Sequence, residues 1–151
     1  MTISAVVLIA VGLQSHNPMG FDQDKTVHHF VLTESGGYID VSTRDASDSS
    51  NRAAIKSHLG HIAQMFKEGN FDIPMLVHGE KPAGVETMQR LKDKIKYEYK
   101  ATDRGGRVTI TTSDKQALQG VHEFLRYQIK EHKTGDSLSP RKPLQNRNTR
   151  A

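Results

Sequence analysis

His58, His61 and Met65 follow one another at intervals of three and four residues, the spacing of side chains on one face of a helix. Copper accepts imidazole and thioether ligands, and imidazole also suits zinc or haem iron. The chain of 151 residues has eight histidines and no cysteine, which excludes thiolate zinc sites and c-type haem attachment. The pattern predicts a thiol-free site for Cu, Zn or haem beside this helix.

A complete site needs a further ligand from elsewhere, and the candidates are His29, His78 and His122. His28 and His29 alternate faces if their segment is extended, so at most one of them turns toward the helices. If Val27 and Val31 mark the buried face of the strand, His29 lies on that face with them, which favours His29 as the ligand. We therefore expect His58 and His61 to bind the ligand, with Met65 beside them and one of these three histidines completing the site.

Structural roles are the alternative for these side chains. A helical histidine pair without a third ligand is often a polar border to a core, and Met65 can simply fill a gap. His122 aligns with Leu59 in a comparison of the two helices, so we expect it to face inward, with Glu123 or a polar strand group satisfying its nitrogens. His132 lies in a last helical turn, where capping explains it.

Two stretches, 30–43 and 97–112, share a Gly-Gly pair between alternating β-rich runs. Such pairs are typical of tight hairpin turns, which need positive φ angles. Each hairpin precedes an apolar pattern with a period of 3.6 residues, which predicts a helix ending near Gly69 in the first case and near Gly135 in the second. The sequence therefore predicts an α+β fold of two ββα units, at about 27–69 and 96–135, with a four-stranded antiparallel sheet and helices on one face.

The region between the two units contains one proline-interrupted apolar segment and one helical pattern. The segment 71–79 is expected to form an edge strand or a buried loop, because its proline cannot donate a hydrogen bond to a sheet. The helical pattern follows Pro82 and Gly84, with apolar residues at helical spacing, namely Val85, Met88, Leu91 and Ile95.

The ends of the chain differ in composition from the middle. An apolar run at 3–13 is too short to cross a bilayer comfortably, and it predicts a signal peptide or anchor over 1–15, then a linker over 16–24. A buried first strand is the alternative, since no Lys or Arg precedes the run. A single domain is expected over 25–136. Four basic residues after Asp136 account for the net charge of +4 and predict a basic disordered tail over 137–151.

Five short stretches carry a resemblance to known proteins, at 26–30, 58–66, 71–74, 77–78 and 122–136. Together they resemble a family of small exported bacterial proteins of unknown function, with similarity from about 19 to 136. The resemblance implies a single-domain protein in the periplasm or secreted, and it supplies no catalytic residue. Similar chains sometimes carry an aspartate carbamoyltransferase label.

That enzymatic label rests on Ser42-Thr43-Arg44, which is similar to part of a phosphate-binding motif. Phosphate binding by the motif depends on a helix N-terminus and on two α/β domains, for which this chain is too short. Two classes of function therefore remain: a metal- or haem-binding protein for sequestration or handover, and a non-catalytic interaction module of the cell envelope, with a homodimer as one form. A third class, a hydrolase or lyase that uses His and Glu residues in a cleft, lacks an identifiable nucleophile. A nucleic-acid partner is not expected, because the excess positive charge lies in the tail and leaves the domain itself close to neutral.

Overall fold

The computed structural model describes residues 18–142. Its strands lie where apolar and polar residues alternate in the sequence. Strands β1 (Thr26–Thr33) and β2 (Gly36–Thr43) form one antiparallel hairpin, and β3 (Lys96–Thr102) and β4 (Gly105–Thr111) form the other. Pairing of β2 with β4 completes a four-stranded antiparallel sheet in the order β1-β2-β4-β3. The predicted α+β fold of two ββα units is confirmed.

Two long helices, α1 (Ser49–Lys67) and α4 (Lys115–Glu131), cover one face of the sheet. Each begins after an aspartate, Asp48 or Asp114, whose carboxylate accepts hydrogen bonds from the first-turn backbone. Helix α1 packs over β3 and β4, whereas α4 packs over β1 and β2. The helix of each unit therefore covers the hairpin of the other. The buried stripe of α1 consists of Ile55, Leu59, Ile62, Ala63 and Phe66.

The segment predicted as an edge strand or buried loop is instead a helix, α2 (Asp72–His78). Pro74 is its third residue, and in a first turn the backbone N–H that proline lacks would have no intrahelical partner. Asn70 accepts a hydrogen bond from the Asp72 N–H through its side-chain oxygen, and Gly79, at φ +70°, ends the helix. The prediction of an edge strand or a buried loop was wrong because this proline lies in the first turn of a helix.

The intervening helix is confirmed as α3 (Val85–Arg90), which begins after Gly84 in a left-handed conformation. Val85 and Met88 are its buried residues. Ile95, which the helical spacing placed in the same helix, instead follows a short 3-10 turn and immediately precedes β3. The helix is thus shorter than its apolar pattern.

The Gly-Gly pairs start strands β2 and β4, and the two-residue turns are formed by the residues before them. Only Gly36 of the four glycines has a positive φ, +151°. The others are required by close approach: a Cβ at Gly37 would overlap the Val31 carbonyl oxygen, and one at Gly105 would overlap that of Val41. The hairpins were predicted correctly, but their glycines mainly allow strands and helices to approach.

Chain segments outside 25–136 also contact the domain. Met19 and Phe21 are buried in the core, although both belong to the stretch predicted as a linker. Arg141, in the stretch predicted as a disordered tail, donates its backbone N–H to the Leu32 carbonyl at 2.8 Å. Within 18–142 no helix is long and apolar enough to cross a membrane, and the predicted signal peptide at 1–15 lies outside the described residues.

Candidate functional site

A cavity of about 60 Å³ lies between the helices and the β1–β2 hairpin. Strands β1 and β2 form its floor, α1 and α4 its sides, and α2 and the segment before β1 complete the wall. Several lining side chains are half-exposed, so the cavity reaches the surface. Its walls are mostly apolar. Four histidines and one glutamine also line it: His28, His58, His78, His132 and Gln128.

His28 reaches the cavity because β1 turns alternate side chains toward the helices. Phe30 and Leu32 are buried in the core, and His28 lies on the same face. His29, favoured by the sequence, lies on the opposite face, where its Nδ1 is 3.0 Å from an Asp136 carboxylate oxygen. His29 does not turn toward the helices, because Phe30 and Leu32 lie on the helix-facing side of this strand, while Val31 is buried on the other side.

Aromatic contacts connect three of the histidine rings. His28 stacks on His132 with ring centroids 5.5 Å apart, and His132 meets His78 edge-on at 5.2 Å. On the other side, Phe21 lies between His28 and His58, at centroid distances of 5.8 Å and 5.4 Å. The four imidazoles thus border one cavity and are linked by ring packing, directly or through Phe21.

Burial keeps three of these imidazoles uncharged. It lowers the pKa of His28 to about 4, and the neighbouring His132 and His58 add to the shift. Burial likewise lowers the pKa of His58 and that of His132 to about 4, with a smaller contribution from one neighbouring imidazole in each case. All three rings are neutral at pH 7, where each has one nitrogen that donates and one that accepts a hydrogen bond.

Gln128 is the most deeply buried polar side chain at the cavity, with 4% of its surface exposed. Its Oε1 lies 3.0 Å from the His78 Nε2, which donates to it. Among residues 18–142, the amide Nε2 of Gln128 has no hydrogen-bond partner, and neither does the Nε2 of His28. Two buried polar nitrogens at one cavity are therefore unsatisfied by the protein, at a cost of about 1–3 kcal/mol each.

The predicted ligand set is only partly brought together. His58 and His78 line the cavity, whereas His61 is exposed and Met65 is half-buried, and neither lines it. His122 lies elsewhere, with its Nε2 2.9 Å from the Thr33 carbonyl oxygen. In residues 18–142 no group of three or more His, Asp or Glu side chains is arranged to hold a metal ion.

The alignment of His122 with Leu59 is corrected by the helix N-caps. When the two helix sequences are aligned on their N-cap residues, Asp48 and Asp114, Leu59 corresponds to Leu125, which is fully buried. His122 is therefore half-buried beside the stripe, and its Nε2 is also 3.0 Å from the Gly36 carbonyl oxygen at the first hairpin turn. The expectation that a polar strand group satisfies this imidazole is confirmed.

Sequence reasoning did not select His28, His132 or Gln128. Phe30 and Leu32 carried a signal for His28, because an apolar alternation through both places it on the helix-facing side. Gln128 and His132 are four residues apart at the end of α4, which places them on one helix face. Neither signal reveals a cavity, because cavities depend on how separate elements meet.

Comparison with known proteins finds no match to this chain among family models, curated proteins or solved structures.

Proposed function

We propose that this protein binds a small molecule in the histidine-lined cavity and sequesters it or hands it over without transforming it. The observation that carries the proposal is the pair of unsatisfied nitrogens, on His28 and Gln128, that border one largely apolar cavity. Ligand sites typically combine apolar walls with a few polar groups that fix orientation.

Stability alone gives no reason for this arrangement. Protein interiors are close-packed, and buried polar groups without partners are destabilising. Leucine or phenylalanine at His28 would remove the unpartnered nitrogen of that ring. Sites where a sequence departs from good packing are commonly functional, which favours ligand binding over a purely structural role for the cluster.

The size of the cavity restricts the ligand. One water needs about 10–15 Å³ of such volume, and a cavity of about 150 Å³ binds benzene. At about 60 Å³, this cavity suits a compact ligand smaller than benzene, or the compact end of a longer molecule that extends through the opening. A porphyrin contains four five-membered rings and exceeds this space, so the haem alternative loses support.

Copper or zinc binding is a second candidate function, favoured by the neutral imidazoles of His28, His58 and His132. Metal binding requires unprotonated imidazole, so these rings need not lose a proton first. It would also require the stacked rings to turn, because their present arrangement does not form a metal site. Activity in the periplasm is proposed only on the basis of the N-terminal apolar run and the family resemblance.

A substitution that fills the cavity tests the proposal. Val77 lines the cavity on α2, whereas its neighbour Leu76 is 72% exposed. Val77→Phe should fill the cavity, and Leu76→Phe is a matched control on the same helix. Untagged protein would be purified from cells that produce it, and native mass spectrometry and metal analysis would identify what remains bound.

The expected result is a small-molecule adduct on wild type and Leu76→Phe that is lost from Val77→Phe. A stoichiometric metal on wild type would instead favour the second candidate. An adduct retained by folded Val77→Phe would contradict binding in this cavity.

A further inference from the structure

We propose that the ligand is an uncharged molecule whose carbonyl oxygen accepts a hydrogen bond from the side-chain amide of Gln128. This inference rests on the proposed function and specifies the ligand for the same cavity. Its basis is the hydrogen-bonding capacity that the surrounding side chains leave unused.

The amide of Gln128 leaves a donor and no acceptor for the ligand. Its Oε1 is engaged by His78, whereas the Nε2 carries two hydrogens and has no partner among the described residues. The side chain is held from both ends: α4 fixes its backbone, and His78 on α2 fixes its oxygen. A ligand atom that meets this nitrogen must therefore accept a hydrogen bond.

His28 provides a second polar contact from the floor of the cavity. Its Nε2 is buried and has no partner within 18–142, and stacking against His132 limits rotation of the ring. A neutral imidazole can donate or accept at this nitrogen according to its tautomer. A carbonyl compound therefore suits His28 with either its oxygen or a neighbouring N–H or O–H group.

The charge of the lining disfavours carboxylates and ammonium groups as ligands. No Asp, Glu, Lys or Arg among the described residues lines the cavity, and burial holds the pKa values of His28, His58 and His132 near 4. A carboxylate or an ammonium group would enter without a counter-charge and would lose its hydration. A neutral carbonyl, such as a ketone, ester or amide, makes the hydrogen bond without that cost.

Three probes of similar size separate these requirements. Butanone has the carbonyl acceptor, 2-methyl-1-butene has the same shape without an acceptor, and propanoate carries a charge. Each would be titrated at pH 7 into the full-length ¹⁵N-labelled chain while amide and imidazole resonances are followed. We expect butanone to shift resonances of residues that line the cavity, the alkene to bind about tenfold more weakly, and propanoate not to bind there.

Variants on α4 then assign the preference to one side chain. Gln128→Met keeps the length of the side chain but removes the donor, and it should lower butanone affinity to that of the alkene. Gln119→Met is the matched control, because Gln119 is exposed on the same helix and bonds Glu123 away from the cavity. This control should retain the wild-type preference.

Each outcome decides between the two proposals. Equal binding of butanone and alkene, or stronger binding of propanoate, would overturn the carbonyl inference while leaving a ligand-binding cavity. Failure of all three probes to shift cavity resonances would contradict both proposals. A preference for butanone that survives in folded Gln128→Met would also overturn the assignment. If Gln128→Met does not fold, the wild-type series alone decides the ligand class.

Discussion

Hairpin β1–β2 faces the helices with His28 and Phe30, whereas hairpin β3–β4 presents Tyr97 and Tyr99 at the corresponding positions of the repeat. Tyr97 packs edge-on against Phe66 with ring centroids 5.8 Å apart, and it also borders a separate, open pocket of about 590 Å³. The half with the histidines contains the cavity. The two ββα units thus differ in what their hairpins place against the helices: tyrosines in one half and the histidine-lined cavity in the other.

The helices carry the same contrast. Superposing Asp48 on Asp114 pairs the fully buried Phe66 of α1 with His132, which follows α4. A large apolar side chain in one unit therefore corresponds to a half-buried imidazole in the other. The two units therefore share one arrangement of strands and helix but differ in a few core side chains.

The largest expected difference between the halves comes from core truncation. Ile110 is fully buried in β4 away from the cavity, whereas Ile73 is half-buried and lines it. Ile110→Ala should lower the free energy of unfolding by about 2–5 kcal/mol, because it creates a void in a packed region. Ile73→Ala should cost less than half as much, because it enlarges an existing opening. Urea denaturation of both variants measures the difference, and equal losses would contradict it.

Acid should destabilise the half with the histidines. The pKa values of His28, His58 and His132 are about 4 in the folded protein and near 6.5 when unfolded, so the unfolded chain binds more protons between these values. Stability should therefore fall from pH 6.5 to pH 4, by an amount on the order of 2–3 kcal/mol after allowing for partial exposure. Urea denaturation across this range, repeated with His132→Leu, measures the effect. A slope that is unchanged in His132→Leu would contradict a role for this imidazole.

Adding one methylene to a buried valine should have opposite effects on stability beside the cavity and away from it. Val41 lines the cavity and Val108 does not, although both are buried on the two central strands. Val108→Ile should destabilise by about 1 kcal/mol through overpacking. Val41→Ile should be neutral or stabilising, because the methylene enters open space. Thermal unfolding of the pair measures the sign, and a larger loss for Val41→Ile would show that the cavity half is the more closely packed.

A contact at the β1 edge of the sheet should make one of the smallest contributions to stability. Arg141 bonds the edge of β1 through its backbone and reaches the Tyr38 hydroxyl with its guanidinium at 3.3 Å. Ending the chain after Ser139 should cost about 0.5–1.5 kcal/mol, the usual contribution of one hydrogen bond. Arg141→Ala keeps the backbone bond and should change stability by less than about 0.5 kcal/mol. Differential scanning calorimetry of both compares these effects, and an equal loss in the two would assign the contact to the side chain.

Much of the fold could be predicted because its signals are local. Alternation identified the strands, a 3.6-residue period identified α1 and α4, and Gly69 marked the end of α1. Helix α4 ends before Gly135, at Glu131, and Lys133 takes the left-handed conformation after it. The segment around Pro74 was misassigned because proline is compatible with either a sheet edge or a first helical turn. Only the neighbouring turn geometry separates the two.

The site was less predictable because it depends on contacts between distant elements. His58 and His78 were among the candidates and do line the cavity, 20 residues apart in sequence. His28 required the correct strand phase, and Gln128 required knowledge of which hydrogen bonds its amide makes. No spacing within a single helix could reveal that these groups border one cavity.

A crystal structure of the wild-type protein under xenon pressure tests the difference between the two halves most directly, because xenon enters apolar cavities. One ordered xenon is expected between α1, α4 and the β1–β2 hairpin, in contact with the ring of His28 or His58, and none is expected between α1 and the β3–β4 hairpin. Xenon only beneath β3–β4, or none in the interior, would contradict a ligand-accessible cavity in the half that contains the histidines.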